Sequence, residues 1–190
     1  FDYCKAISNM SHPASITEHQ PSSRMQTSQK KPLVTVSMPA FNSERYIAEA
    51  IESILAQTYQ NFELIIVDDG STDRTREIVE SFTDPRIIKV YSDRNRGLIT
   101  TRNRIAQIAR GKYLALLDAD DTAFPDRLAL QVQFLESNQA DLCGADHWTL
   151  NQVTGQLKAS KQRHTNADIH ALLSVCSPVC NPAMMGRLEI

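Results

Sequence analysis

Cysteines are few and long apolar runs are absent in this chain, and each scarcity removes a class of protein. Four cysteines (Cys4, Cys143, Cys176 and Cys180) among 190 residues are too few for a small disulfide-stapled scaffold. Cys176 and Cys180 with His164 and His170 offer a zinc-like spacing, but no second cysteine pair supports it. Buried thiols and surface imidazoles are the plainer reading. The longest apolar stretches, Leu64–Val67 and Tyr113–Leu117, are strand-sized and far short of the roughly 20 residues a spanning helix needs. The first 30 residues hold no continuous apolar run of the secretory-leader kind. Charge of one sign is missing too: 20 Lys+Arg stand against 22 Asp+Glu, a net charge of −2. That balance excludes a nucleic-acid binder relying on a general basic surface. What is left is a soluble, cytoplasmic globular domain, 42% hydrophobic and long enough to bury one core.

The first 31 residues differ from the rest. Eleven are Ser, Thr or Gln and no helix or strand period holds, so they cannot bury enough surface to offset their ordering entropy. Residues 1–31 are expected to be a disordered tail or linker, and residues 32–190 the folded domain. From Leu33 the pattern alternates. Leu33–Met38 reads as a buried strand, followed by a helix capped by Asn42 or Ser43 that carries Ile47, Ile51, Ile54 and Leu55 at helical spacing. Phe62–Val67, Ile87–Tyr91 and Tyr113–Leu117 read as strands. Asp73–Phe82, Leu98–Ala109 and a segment after Pro125 read as helices, with Gly111 as the C′ stop of the second. Beyond Ala140 the expectation is a strand over Leu142–Thr149, a turn at Asn151–Gln156 and a short helix over Asp168–Val175. Strands alternating with helices predict an α/β fold with a mostly parallel sheet.

Ligands of open α/β sheets bind outside the carboxyl ends of the strands. Three such ends carry unusual residues: Pro39-Ala40-Phe41-Asn42, Asp68-Asp69-Gly70-Ser71 and Asp118-Ala119-Asp120-Asp121. Any single Asp there is explained by turn or cap chemistry. Five at two strand ends repel one another unless a cation or hydrogen-bond donors compensate them. Hard carboxylate oxygens suit Mg²⁺ or Mn²⁺, completed by substrate phosphates. A site for a divalent metal and a nucleotide diphosphate is the natural expectation.

Three runs carry a resemblance: VSMPAFNSERYIAEAIESILAQTYQNFELIIVDDGSTDRT, NRGLITTRNRIAQIARGKYLALLDADD and PDRLALQVQFLE. In this order and spacing the chain resembles the family-2 glycosyltransferases of the GT-A fold, inverting enzymes that use nucleotide-diphosphate sugars. The resemblance implies that Pro39, Ala40 and Phe41 line the base pocket, with Phe41 stacking where the family usually has Tyr. It implies that Asp69, with Asp68, bonds the base edge, and that Glu44 either reaches the same pocket or serves the helix N-terminus. Asp118 would bind the ribose side, Asp120 the metal beside Ala119, and Arg96 and Arg102 would add positive charge near the phosphates. A uridine diphosphate sugar is the commonest donor in the family and Mn²⁺ or Mg²⁺ the cofactor. The acceptor would be a saccharide or a lipid-linked saccharide in surface-polysaccharide assembly, with peripheral contact at the inner face of a membrane.

The family's later acidic motif, which supplies the general base, has no counterpart here, and SPVCNPAMMGR resembles the segment just before it. The expectation is therefore a donor-binding half, incomplete at its C-terminus, with the base unassigned; Asp146 reads as a surface residue. Two alternatives stay open. One is a degenerate domain that binds nucleotide without transfer. The other is a nucleotidyltransferase, which would want a Gly-rich basic loop where this chain has Pro-Ala-Phe-Asn. A phospho-receiver domain would need a late-strand Lys that is not in place. Trp148 stacks a sugar or fills the core on equal grounds.

Overall fold

A computed structural model describes residues 2–7, 34–160, 167, 169 and 179–188. The backbone forms β1 (Asp2–Ile7), β2 (Val34–Ala40), α1 (Ile47–Leu55), β3 (Phe62–Asp68), α2 (Thr75–Ser81), β4 (Ile87–Tyr91) and α3 (Leu98–Ile108). It continues with β5 (Tyr113–Leu116), β6 (Thr122–Ala123), α4 (Arg127–Ser137), β7 (Leu142–Cys143), β8 (Asp146–Asn151), β9 (Leu157–Ser160) and β10 (Met185–Arg187). Six strands make the central sheet in the order β4-β3-β2-β5-β10-β7. Its first four are mutually parallel, while β10 runs antiparallel to both β5 and β7.

Why β2 and β3 lie at the centre follows from their composition. Every residue of both is buried, as expected of parallel strands covered on both faces. Alternate side chains divide between the faces. Val36, Met38, Leu64 and Ile66 join the main core with Ile47, Ile51 and Ile54 of α1 and Leu128, Val132 and Leu135 of α4. Ile65 and Val67 turn the other way and pack with Ile105 of α3. The apolar stripe of α1 is what makes it a helix, because no side chain caps its start. The Ser43 carbonyl instead accepts from the Tyr46 and Ile47 N–H groups. Asn42, expected as a cap, adopts a left-handed φ of 49°, which Asn tolerates, and its Oδ1 accepts from Thr72 N–H across to the next loop.

Several expectations need correcting. Gly111 does not close α3 as a C′ residue, since the cap position is Ala109. Gly111 is required because a Cβ there would lie 2.5 Å from the Thr35 nitrogen. The strand expected over Leu142–Thr149 is two strands in two sheets: β7 extends the central sheet, and β8 joins a second sheet ordered β6-β1-β8-β9. The two-residue break at Gly144-Ala145 re-aims the chain. The turn expected at Asn151–Gln156 is present, as the tip of a β8–β9 hairpin, closed by Gly155 N–H on Asn151 O with Gly155 at φ 69°. The expected tail contains strand β1, which pairs antiparallel with β8 and parallel with β6. Six isolated residues show no period that sequence reading can use, and pairing to a strand more than a hundred residues on is a tertiary event. The remainder of the tail falls outside the described residues, as does the Asp168–Val175 helix apart from Ile169.

Candidate functional site

The strand order places the site. Chain order reverses between β2 and β5, so the loops leaving their carboxyl ends part and open a crevice at a topological switch point. A cleft of about 560 Å³ lies there, lined by Pro39 near the end of β2, Phe41, Asn42 and Ser43 just after it, Asp118, Ala119 and Asp120 after β5, and Leu98 at the start of α3. Arg45, Tyr46 and the hairpin tip Asn151–Val153 complete the wall. Phe41 is 44% exposed, so its ring is free to meet a ligand rather than committed to the core. Ala40 is buried and contributes only backbone, its carbonyl accepting from Asp69 N–H at 2.8 Å.

Asp118 and Asp120 differ in partners. Asp118 Oδ1 accepts from Arg102 Nη2 at 2.7 Å, so Arg102 positions this carboxylate and does not offer a free charge to phosphate. Asp120 is open to solvent within the cleft. Partial desolvation by the cleft walls, followed by the negative charge of Asp118, pushes its carboxyl above the ordinary value. A group strained against ionisation in this way favours a bound cation. Among the described residues no three His, Cys, Asp or Glu converge to hold a metal. One or two carboxylates completed by phosphate and water is how Mg²⁺-like ions are commonly held, so Asp120 and Asp118 fit such an ion.

The aspartates after β3 have other work. Asp68 is buried and accepts from Ser71 N–H and Ser71 Oγ–H; it lines neither of the two large clefts. Asp69 Oδ2 accepts from the Arg96 and Gly97 N–H groups at 2.9 and 2.8 Å, tying down the loop before α3. Its Oδ1 is buried without a hydrogen-bond partner. Asp69 and Arg96 line a second cleft of about 700 Å³ with Tyr91, Thr100 and Arg104. Thus the two strand ends share one sheet edge but open into two clefts, with α3 contributing to each. Arg96 is paired to Asp93 at 2.8 Å. Glu44 accepts from Arg74 N–H at 3.0 Å and pairs with the Arg74 side chain, so it serves the start of α2 and not the cleft. Trp148 sits in β8 and lines neither of these two clefts. Asp121 is buried. Cys176, His164 and His170 lie outside the described residues.

Sequence reading missed Arg45, Tyr46, Leu98 and the hairpin tip. The first three lie within or beside the quoted motifs, but nothing local marks which of them face the cleft. The hairpin tip is legible as a turn, but nothing local shows that it reaches the cleft.

A mostly parallel sheet with Phe41 and Asp118-Ala119-Asp120 meeting at its switch point is shared with the GT-A glycosyltransferases to which this chain is similar. The profile of Glycosyl transferase family 2 matches residues 35–186, and the chain belongs to that family. It is 31% identical over 160 residues to the UDP-Glc:alpha-D-GlcNAc-diphosphoundecaprenol beta-1,3-glucosyltransferase WfaP of Escherichia coli, covering 83% of this chain and 62% of that protein. It is 42% identical over 107 residues to the putative teichuronic acid biosynthesis glycosyltransferase TuaG of Bacillus subtilis, covering 55% of this chain and 42% of that protein. Among solved structures, Staphylococcus aureus TarS in complex with UDP aligns with a TM-score of 0.55 at 30% identity, covering 57% of this chain and 33% of that one. The mannosyltransferase PcManGT of Pyrobaculum calidifontis, in complex with GDP-Man and Mn²⁺, aligns with a TM-score of 0.56 at 29% identity, covering 60% and 35%. The chain spans only 26% of a rickettsial glycosyltransferase that it matches over 157 residues.

Proposed function

We propose that this chain carries the donor-binding part of a glycosyltransferase that moves a sugar, with inversion, from a nucleotide-diphosphate donor to a saccharide or lipid-linked acceptor in surface-polysaccharide assembly. The carrying observation is the single cleft in which Phe41 and Asp118-Ala119-Asp120 meet at the switch point. Relatives and neighbours whose names include UDP-Glc, UDP and GDP-Man support a nucleotide donor, of which the uridine form is proposed.

In this reading the Phe41 ring stacks on the base. Asp118, held by Arg102, accepts from the ribose side, while Asp69 acts on the site indirectly by tying down the loop before α3. Asp120, with Asp118, would hold Mn²⁺ or Mg²⁺. That ion, when bound, stabilises as a Lewis acid the negative charge that gathers on the departing diphosphate. The acceptor hydroxyl attacks the sugar carbon from the opposite face, and its proton must pass to a base that we assign to no residue of this chain. Among the described residues no helix is long and apolar enough to cross a membrane.

The test is calorimetry of UDP and of GDP with and without Mn²⁺. Binding should require the metal, and Asp120→Asn should weaken the metal-dependent part about tenfold or more, as expected on losing a charged ligand. Equal affinity with and without metal would refute the role given to Asp120.

A further inference from the structure

Negative charge enters this cleft with any diphosphate, and the positive charge available to meet it can be found by elimination. Arg102 is committed to Asp118 at 2.7 Å. Arg96 is committed to Asp93 and lies in the second cleft. Arg74 is turned toward Glu44. Among the described residues lining the donor cleft, Arg45 is the only Lys or Arg, and no carboxylate pairs with it. Its guanidinium lies over the Tyr46 ring, 5.1 Å from the centroid, a stacking that orients the planar group while leaving its N–H fork free. Tyr46 is itself held, because its hydroxyl donates to Gln152 Oε1 at 2.9 Å across 106 residues of sequence. Both residues stand where α1 begins, at the end of the helix whose exposed N–H groups favour anions.

We propose that Arg45, stacked on Tyr46 and braced by Gln152 of the hairpin tip, binds a phosphate group of the substrate in the donor cleft. The inference rests on the functional reading above and moves the phosphate-facing charge from Arg96 and Arg102 to a residue outside the strand-end motifs. A phosphate can come from two sources, the donor diphosphate or a phosphate-linked acceptor, and both present the same oxygens to a guanidinium fork. Arg45 is exposed, so replacing it should not disturb folding.

The experiment titrates Mn²⁺ with UDP, and uridine alone, into the chain and its Arg45→Gln variant, then titrates farnesyl diphosphate into each Mn²⁺–UDP complex. If Arg45 holds the donor, Arg45→Gln weakens UDP about tenfold or more and leaves uridine unchanged. If it holds the acceptor, UDP is unchanged and farnesyl diphosphate weakens by a similar factor. Tyr46→Phe, which removes only the brace, should give a smaller loss in whichever arm responds. Arg45→Gln with wild-type affinity in both arms overturns the proposal while leaving the functional reading intact. Failure of the unaltered chain to bind UDP or GDP with Mn²⁺ overturns that reading and this proposal with it.

Discussion

Asp120 is where solvent exposure and electrostatics meet most plainly. Desolvation by the cleft walls and then Asp118 raise its carboxyl above the ordinary 3.8, so in the metal-free chain its ionised form costs free energy relative to the unfolded state. A raised acid works against folding above its folded pKa, and the cost disappears as pH falls through the window between that value and 3.8. Two effects of opposite sign follow for Asp120→Asn at pH 7. The metal-free chain should melt slightly higher, while Mn²⁺-dependent nucleotide binding weakens. Metal affinity of the unaltered chain should also weaken as pH drops through the raised value, because the carboxylate must shed its proton to ligate. Paired melting curves and calorimetry would check this; a lower melting temperature for Asp120→Asn would contradict it. Gly70 is fixed by two demands at once. Its φ is 75°, and a Cβ would lie 2.5 Å from the Arg94 carbonyl carbon, so the loop carrying Asp68 and Asp69 has no room for a side chain.

Between elements, the decisive groups are buried polar ones that no strand or helix pattern announces. Arg127 of α4 is 2% exposed. Its Nη2 donates to Leu116 O at 2.8 Å and Met184 O at 3.3 Å, and its Nε to Gln131 Oε1 at 3.1 Å. Gln131 Nε2 in turn donates to Ala183 O. Two side chains one helical turn apart thereby clamp the segment before β10 against the end of β5, next to the Asp118-Ala119-Asp120 loop. Burial lowers the guanidinium to about 10, which still leaves it charged at neutral pH. Arg127→Ala should cost roughly 3 kcal/mol, from orphaned carbonyls and the cavity together, measured as a shift in urea midpoint with unchanged slope. A loss below about 0.5 kcal/mol would mean that the clamp is dispensable. At the opposite sheet edge, Glu63 accepts from Thr35 Oγ1, Arg110 N–H and Arg110 Nε, while Thr35 Oγ1 also accepts from Gly111 N–H. That network joins β2, β3 and the loop leaving α3.

For the molecule as a whole, acid stability follows from the direction in which its carboxyls are shifted. At Glu63 and Asp73 burial raises the pKa, but hydrogen bonds outweigh it and leave each below its ordinary 4.5 and 3.8. The Arg86 pair holds Asp84 at about 2. Depressed carboxyls stabilise the fold above their unfolded values and withdraw that support as pH falls through the folded ones. The carboxyl contribution should therefore drop progressively from about pH 4.5 toward pH 2, with Asp120 opposing weakly. A denaturation midpoint that rises over that range would contradict the assignment.

The amino-acid sequence alone determined the α/β alternation, because Ile47, Ile51 and Ile54 and the unbroken apolar runs of β2 and β3 write their periods locally. It also marked Phe41, Asp118 and Asp120, since aromatic and acidic residues at strand ends are legible without knowing the strand order. Tertiary structure decided the remainder. Asp68 and Glu44 look like ligand-binding residues in one dimension, yet Ser71 and Arg74 claim them once the two loops are brought together. Leu142–Thr149 reads as one strand, but partners from different sheets divide it. Gln152 became part of the cleft only through a bond spanning 106 residues. Periodicity is a property of neighbours in the chain, whereas the partner of a polar atom is set by whatever the fold delivers within hydrogen-bonding distance.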